Sequence, residues 1–247
     1  MTMPSDSHRA EALRPSAAAS VGPTTDAAHS SSPELWLVRH GETEWSKAMR
    51  HTGRTDLPLT EHGRRQARDL EPVLAAHAFD LVLSSPLRRA RETAILADYN
   101  GRVQQEDDLT EWDYGAFEGQ TAAELARRLG SFSIWTTTAS GGESLDQVAA
   151  RADRVLARTA TVGGRCLLFS HGHLLRILTA RWLGLAPAQG RLFALDAGSL
   201  CILGTEHGYR VIRVWNLSRY PPADLGRAEA AGGAKQEAPI GCRAQTT

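Results

Sequence analysis

The chain has 247 residues, 42% of them hydrophobic, with 28 lysines and arginines against 28 aspartates and glutamates. That length supports one sizeable core, and the zero formal net charge argues against nucleic acid or an anionic membrane as partner, since either selects an excess of basic residues. No apolar run approaches the length needed to span a bilayer, and Cys166, Cys201 and Cys242 form no metal-type pair, so a reduced, cytoplasmic protein is expected.

Residues 1–33 are rich in Ala, Ser, Pro and Thr. They lack hydrophobic periodicity and the apolar core of a signal peptide, so a disordered extension is expected there. An apolar run, Leu35 to Val38, then predicts a buried strand over 35 to 39 that breaks into Arg39-His40-Gly41-Glu42-Thr43. Thr60 is placed to cap a helix running to Leu74, with Pro72 implying a kink or an early end. A second strand, 80 to 84, runs into Ser84-Ser85-Pro86-Leu87-Arg88-Arg89-Ala90, where Ser85 is the expected N-cap and Pro86 the first helical residue. Thr121-Ala122-Ala123-Glu124 and Ser144-Leu145-Asp146-Gln147 fit capping boxes that open two more helices.

Cys166-Leu167-Leu168-Phe169 predicts a third strand, followed by Ser170-His171-Gly172-His173 and a helix with Leu174, Leu175, Ile177, Leu178 and Trp182 on its apolar face. Gly184 closes that helix, with Pro187 beyond it. Strands at 199 to 204 and 210 to 217 complete the set and are candidates for an antiparallel pair. From residue 219 to 247 the chain returns to Pro, Gly, Ala and charge, as a flexible tail would. Strands alternating with helices predict an α/β fold, a three-layer α/β/α arrangement around a mainly parallel sheet, occupying residues 34–218.

Three predicted strands end in basic groups. If they are parallel neighbours, one crevice at their carboxyl ends collects Arg39, His40, Arg89 and His171 beside fresh helix N-termini, a setting that suits a phosphoryl group. At these residues the chain resembles the histidine phosphatase superfamily, which includes cofactor-dependent phosphoglycerate mutases and many phosphomonoesterases. The carriers are Leu37 to Ser46, Thr52-Gly53, Leu59-Thr60-Glu61-His62-Gly63, Ser84 to Ala90, Glu111-Trp112-Asp113-Tyr114-Gly115 and Ser170-His171-Gly172-His173, six motifs in order.

The resemblance implies a phosphoglycerate mutase-like fold. It makes His40 the phosphate-accepting nucleophile, His171 the second site histidine, Arg39 and Arg89 the phosphate clamps and Glu111 the proton donor. Ser46, Thr52, Gly53, Trp112, Tyr114, Gly172 and His173 become the expected substrate contacts. Chemistry supplies independent reasons for the residue types. A neutral imidazole can attack phosphorus if its other nitrogen donates a hydrogen bond that fixes the tautomer. Planar guanidiniums neutralise equatorial phosphoryl oxygens bidentately, and one carboxyl can protonate the leaving alkoxide and then deprotonate water. His171, held protonated by the phosphate, would stabilise the charge developing in the transition state. No Gly-x-Ser-x-Gly elbow surrounds Ser84-Ser85, which argues for capping rather than nucleophilic use.

Arg88 is expected on the exposed side of its helix, and His51, His62, His77 and His207 read as surface or packing residues. Trp112, Tyr114, Trp135 and His173 are candidates for the leaving-group side. Lys47, Arg50 and Arg54 either meet a second anion or face solvent. Trp112 stands where the resembled mutases carry arginine, and residues 131–142 contain no Lys or Arg, which favours hydrolysis over transfer. The expected activity is therefore metal-independent hydrolysis of small phosphorylated metabolites with no cofactor and no metal, most like the acid phosphatases and sugar-bisphosphate phosphatases of the family. Bisphosphoglycerate-dependent mutase action and a non-catalytic phospholigand-binding module are the alternatives. A homodimer is compatible with the sequence.

Overall fold

The computed structural model describes residues 33–218; the expectations for the two ends and for Cys242 fall outside these. A six-stranded sheet has the order β3-β2-β4-β1-β5-β6. Its strands are β1 (Glu34–Arg39), β2 (Leu81–Ser84), β3 (Gln104–Gln105), β4 (Arg165–Ser170), β5 (Leu200–Glu206) and β6 (Tyr209–Leu217). The β1/β4, β4/β2 and β2/β3 pairs are parallel, and β5 runs antiparallel to both β1 and β6. The sheet is thus mixed but mostly parallel, as expected. The two-residue β3 was not expected: both its residues are exposed, so it carries no hydrophobic alternation to read.

Residue alternation along the strands sends side chains to two separate cores. Leu35, Leu37, Leu81, Leu83, Cys166, Leu168, Cys201 and Leu203 face one way. There they meet α6 (Leu145–Val162) through Val148, Ala152 and Val155, and α7 (Gly172–Trp182) through Leu174, Leu175, Ile177 and Leu178. Trp36, Val38, Val82, Leu167, Phe169, Leu200 and Ile202 face the other way. Their partners come from α2 (Glu61–Asp69), α3 (Glu71–Ala75) and α4 (Arg88–Ala94) with its continuation, the π turn Ile95–Tyr99. This is the three-layer arrangement. Each fully buried Leu contributes roughly 1.5–3 kcal/mol relative to exposure, so the two faces rather than helix propensity hold the layers. Cys166 and Cys201 are free and buried, and burial pushes their thiols up to about 11 and about 12.

Local signals mostly produced the elements they announced. Thr60 caps α2 by accepting the Gly63 N–H. The expected break near Pro72 appears as the α2/α3 junction at Leu70, with the proline in the first turn of α3. Thr121 and Ser144 form both capping boxes, opening α5 (Ala122–Leu129) and α6. Gly184, at φ 73°, follows the end of α7. Ser85 is the exception: α4 begins at Arg88, after Leu87. Ser85 Oγ still accepts the Leu87 N–H at 3.3 Å while meeting His171, but the first helical N–H, that of Arg88, goes to Asp56 Oδ1 at 2.6 Å. Among the described residues no helix is long and apolar enough to cross a membrane.

Candidate active site

Parallel pairing of β1, β4 and β2 brings three strand ends together. Arg39 stands opposite Ser170, and Ser84 opposite Phe169. The backbone then continues in step, with His40 N–H donating to Ser170 O at 2.9 Å and Ser85 N–H to Phe169 O at 3.0 Å. The turn carrying His40 is pressed against α2: a Cβ on Gly41 would lie 2.4 Å from Gly63 O, and one on Gly63 would lie 2.2 Å from Glu42 O. Only glycines allow that approach.

His40 is buried, and its Nδ1 lies 2.7 Å from Gly41 O. A carbonyl can only accept, so Nδ1 carries the proton and Nε2 keeps its lone pair. Burial, then the charges of Arg89 and Arg39, hold His40 well below the usual histidine range. It is a neutral imidazole between two guanidiniums. His171 lies beside it, with ring centroids 5.1 Å apart.

Arg89 is 0% exposed. Its Nη1 donates to Thr55 O at 2.9 Å, and its Nη2 to Thr52 O at 3.1 Å and Gly53 O at 2.9 Å, while Nε donates to His171 Nδ1 at 3.2 Å. The loop supplying those carbonyls is itself held by Glu118, whose carboxylate accepts the N–H groups of Gly53 (3.1 Å), Arg54 (3.2 Å) and Thr55 (2.6 Å). Since Nδ1 of His171 accepts, its proton sits on Nε2 and is donated to Ser85 Oγ at 2.7 Å. With these partners His171 is neutral. Burial and the adjacent Arg89 press its pKa well below the ordinary value. Arg39 donates from Nη1 to Leu195 O, and among the described residues its buried Nε has no partner.

Glu111 is buried and caps α7 from a distance. Oε1 accepts the Trp112 N–H at 2.9 Å and the Leu174 N–H at 3.0 Å, and Oε2 accepts the His173 N–H at 3.0 Å.

A cleft of about 250 Å³ joins Arg39, His40, Ser46, Thr52, Glu111, Tyr114, Gly172 and His173. Gly53 and Trp112 lie behind it, and so do Arg89 and His171, both fully buried and reached only past His40 and Arg39. Gly53 supplies a carbonyl to Arg89; Trp112 is buried and backs His173 with Trp135. Tyr114 Oη is 2.6 Å from His173 Nδ1. Burial first, then Glu111, raises the Tyr114 pKa well above 10, so the phenol keeps its proton. Arg88 is exposed, as expected, and pairs with Glu92. A hollow of about 310 Å³ beside β3 and the π turn contains none of these groups.

His51 and Arg176, for which no site role was expected, also line the cleft, with Met49 and Leu195. His51 donates from Nδ1 to Gln120 O at 2.8 Å and packs edge-on against Tyr114, so of the two expected roles, surface or packing, it takes the second and forms a wall of the cleft. Arg176 lies over Trp135 at 4.8 Å, and its Nε donates to Gly190 O at 3.1 Å. Among the described residues it has no ion pair, and burial lowers its pKa. The only advance signal was its place one turn beyond His171 on α7. Of the cations considered for a second anion, Arg50 lines the cleft but pairs with Glu124 at 3.1 Å. Arg54 pairs with Asp113 at 3.5 Å. Lys47 ends the short helix α1 (Glu44–Lys47), exposed. No cluster of three or more His, Cys, Asp or Glu able to hold a metal occurs among the described residues.

Such an arrangement can receive a phosphoryl dianion, attack it with nitrogen and exchange protons at a carboxyl. Comparison with known proteins gives the same direction. The model of the histidine phosphatase superfamily (branch 1) matches residues 35–218. An acid phosphatase of Mycobacterium tuberculosis is 40% identical over 193 residues, covering 76% of this chain and 94% of that protein. Sedoheptulose 1,7-bisphosphatase of Saccharomyces cerevisiae is 36% identical over 185 residues, covering 62% of this chain and 68% of that enzyme. The solved structure of an open reading frame product from Mycobacterium tuberculosis superposes with a TM-score of 0.69 at 39% identity, covering 74% of this chain and 97% of the other. With a family match running almost the length of the described residues and an acid phosphatase matched along nearly its whole length, the chain belongs to the histidine phosphatase superfamily and is an enzyme that hydrolyses phosphate esters.

Proposed function

We propose that the chain is a metal-independent phosphomonoesterase acting on small phosphorylated metabolites through a phosphohistidine on His40. The observation that carries this reading is the tautomer of His40: its Nδ1 proton is committed to Gly41 O, which leaves the Nε2 lone pair free at the cleft. Nε2 attacks phosphorus and the bond to the ester oxygen breaks. Glu111 gives its proton to the departing alkoxide. Water then attacks the phosphohistidine, Glu111 takes a proton from it, and the P–N bond breaks to release inorganic phosphate. Arg39, with its free Nε, and Arg89, with one Nη1 proton uncommitted, carry the equatorial oxygens. Burial first, and then the fields of Arg89 and Arg39, keep His171 deprotonated; a dianion would offset those fields and, once Arg89 Nε–H turns from His171 Nδ1 to the phosphate, let His171 charge and stabilise the transition state.

The alcohol half of the substrate lies toward His51, Tyr114 and His173. Arg176, a partly buried guanidinium without an acid partner, favours an alcohol that carries a second anionic group, in line with the bisphosphatase name of one relative. Two buried arginines supply the positive charge that Mg²⁺ supplies in other phosphoryl-transfer sites, so activity is expected to survive EDTA.

The test is phosphate release from a panel of monophosphates and sugar bisphosphates in EDTA, with 3-phosphoglycerate assayed with and without 2,3-bisphosphoglycerate. Release abolished in His40→Ala, with an acid-labile phosphoenzyme trapped in the parent protein, is the expected result. Isomerisation with little free phosphate would replace this reading with the mutase, and tight phosphate binding without turnover would replace it with a binding module.

A further inference from the structure

We propose that Arg151 and Glu143 form a clasp that positions the proton donor, holding the irregular segment that carries Glu111 so that its carboxyl meets the leaving group. This rests on the assignment of Glu111 as proton donor. Arg151 projects from α6 and is 8% exposed. Nη1 donates to Asp108 O at 2.9 Å and Thr110 O at 2.8 Å, and Nη2 to Glu111 O at 3.3 Å. Nε and Nη2 reach the two oxygens of Glu143 at 2.7 and 2.8 Å. Every guanidinium proton is used, three of them on consecutive turns of the segment that leads to the acid.

Glu143 grips the same segment from its far end. Oε2 accepts the Asp113 N–H at 2.9 Å, its carbonyl accepts Trp112 Nε1–H at 2.8 Å, and its own N–H donates to Asp113 O at 2.9 Å. Residues 110 to 114 belong to no helix or strand, so they have no ladder to fix them. The side chain of Glu111 faces α7 while its carbonyl faces Arg151, and the peptide is held from both sides. The neighbouring arginines of α6 serve as internal controls. Arg154 pairs with the Asp108 carboxylate at 2.6 Å and Arg158 with Glu106, but both side chains are more than a third exposed, at 59% and 38%. Neither bonds the backbone of residues 110 to 113.

A clasp that positions a proton donor matters only where the leaving group needs a proton, a signature that simple loss of structure lacks. The experiment measures kcat/KM, which reports steps up to leaving-group departure, for Glu143→Gln, Arg151→Lys, Glu111→Gln and Arg154→Gln. The substrates are an alkyl phosphate and 2,4-dinitrophenyl phosphate. Glu143→Gln and Arg151→Lys should lose about 10- to 100-fold on the alkyl ester, toward the range of a missing general acid. On the dinitrophenyl ester they should lose less than about threefold, with inhibition by inorganic phosphate unchanged, and Arg154→Gln should behave as the parent. Equal losses on both esters in Glu143→Gln, the milder variant, while Glu111→Gln discriminates between them, would overturn the clasp and leave the proton donor standing. Absence of discrimination in Glu111→Gln itself would overturn both.

Discussion

Acid should destabilise this protein well above the pH at which its carboxylates titrate. His40 and His171 are buried, and each lies well below the ordinary histidine pKa because burial, and next Arg89, disfavour the imidazolium. The unfolded chain binds a proton at each near pH 6.5, while the folded chain does not. Each histidine therefore contributes stability that is full above the unfolded value and is lost as pH falls toward the folded one. If both stay neutral, integrating from about pH 7 to about pH 5.5 gives about 1.2 kcal/mol each, or about 2.5 kcal/mol together. His173, lowered by burial and by Arg176 but open on one edge to the cleft, adds a smaller amount of the same sign, as does His77. Urea unfolding at the two pH values measures the sum, and His171→Gln isolates one member by removing about 1.2 kcal/mol of the difference. Equal stability at both pH values, or a pH difference undiminished in His171→Gln, would refute the neutral, cation-flanked histidines on which the nucleophile assignment depends.

Gly63→Ala should destabilise by roughly 1–3 kcal/mol although a helix normally gains about 1 kcal/mol from that change, because the new Cβ meets Glu42 O at 2.2 Å. Thermal melting checks it, and kcat should fall with it as the turn beside His40 shifts; an unchanged melting temperature contradicts the close approach. Arg39→Lys should lower kcat/KM by roughly 100-fold or more, since an ammonium lacks the planar fork; a loss under about threefold would remove Arg39 from the phosphate site. In Glu118→Gln the loop that holds Arg89 loses one of two accepting oxygens, so phosphate should inhibit about 10-fold more weakly, equivalent to about 1.4 kcal/mol. Unchanged inhibition would mean that the Thr52, Gly53 and Thr55 carbonyls keep Arg89 in place without the carboxylate.

Much of the fold was legible because its signals are local. A run such as Leu35 to Val38 ending in Arg39-His40 marks a buried strand surfacing at a polar turn, and Thr121 with Glu124 or Ser144 with Gln147 announces a helix start within four residues. Parallel pairing brought the strand ends carrying Arg39, His40 and His171 together, and Arg89 reaches them from α4 by donating to His171. What stayed hidden depends on residues far apart in the chain. Ser85 looked like the helix cap because nothing nearby shows that Asp56, 32 residues before Arg88, takes the Arg88 N–H, or that His171, 86 residues on, meets the Ser85 hydroxyl. His51 read as either a surface or a packing residue, and only Tyr114 against its ring and the cleft beside it decided between them. Arg176, one turn beyond a recognised motif, became notable only when it proved to line the cleft, and Arg151 only when its protons were traced to the backbone of residues 108 to 111. The sequence by itself determined which elements form and which chemical groups stand at their ends, since backbone propensity and side-chain periodicity act over a few residues. The tertiary structure alone decided the tautomers, the desolvation and the partners of those groups, because each is set by charges and carbonyls that only packing brings within a few ångströms.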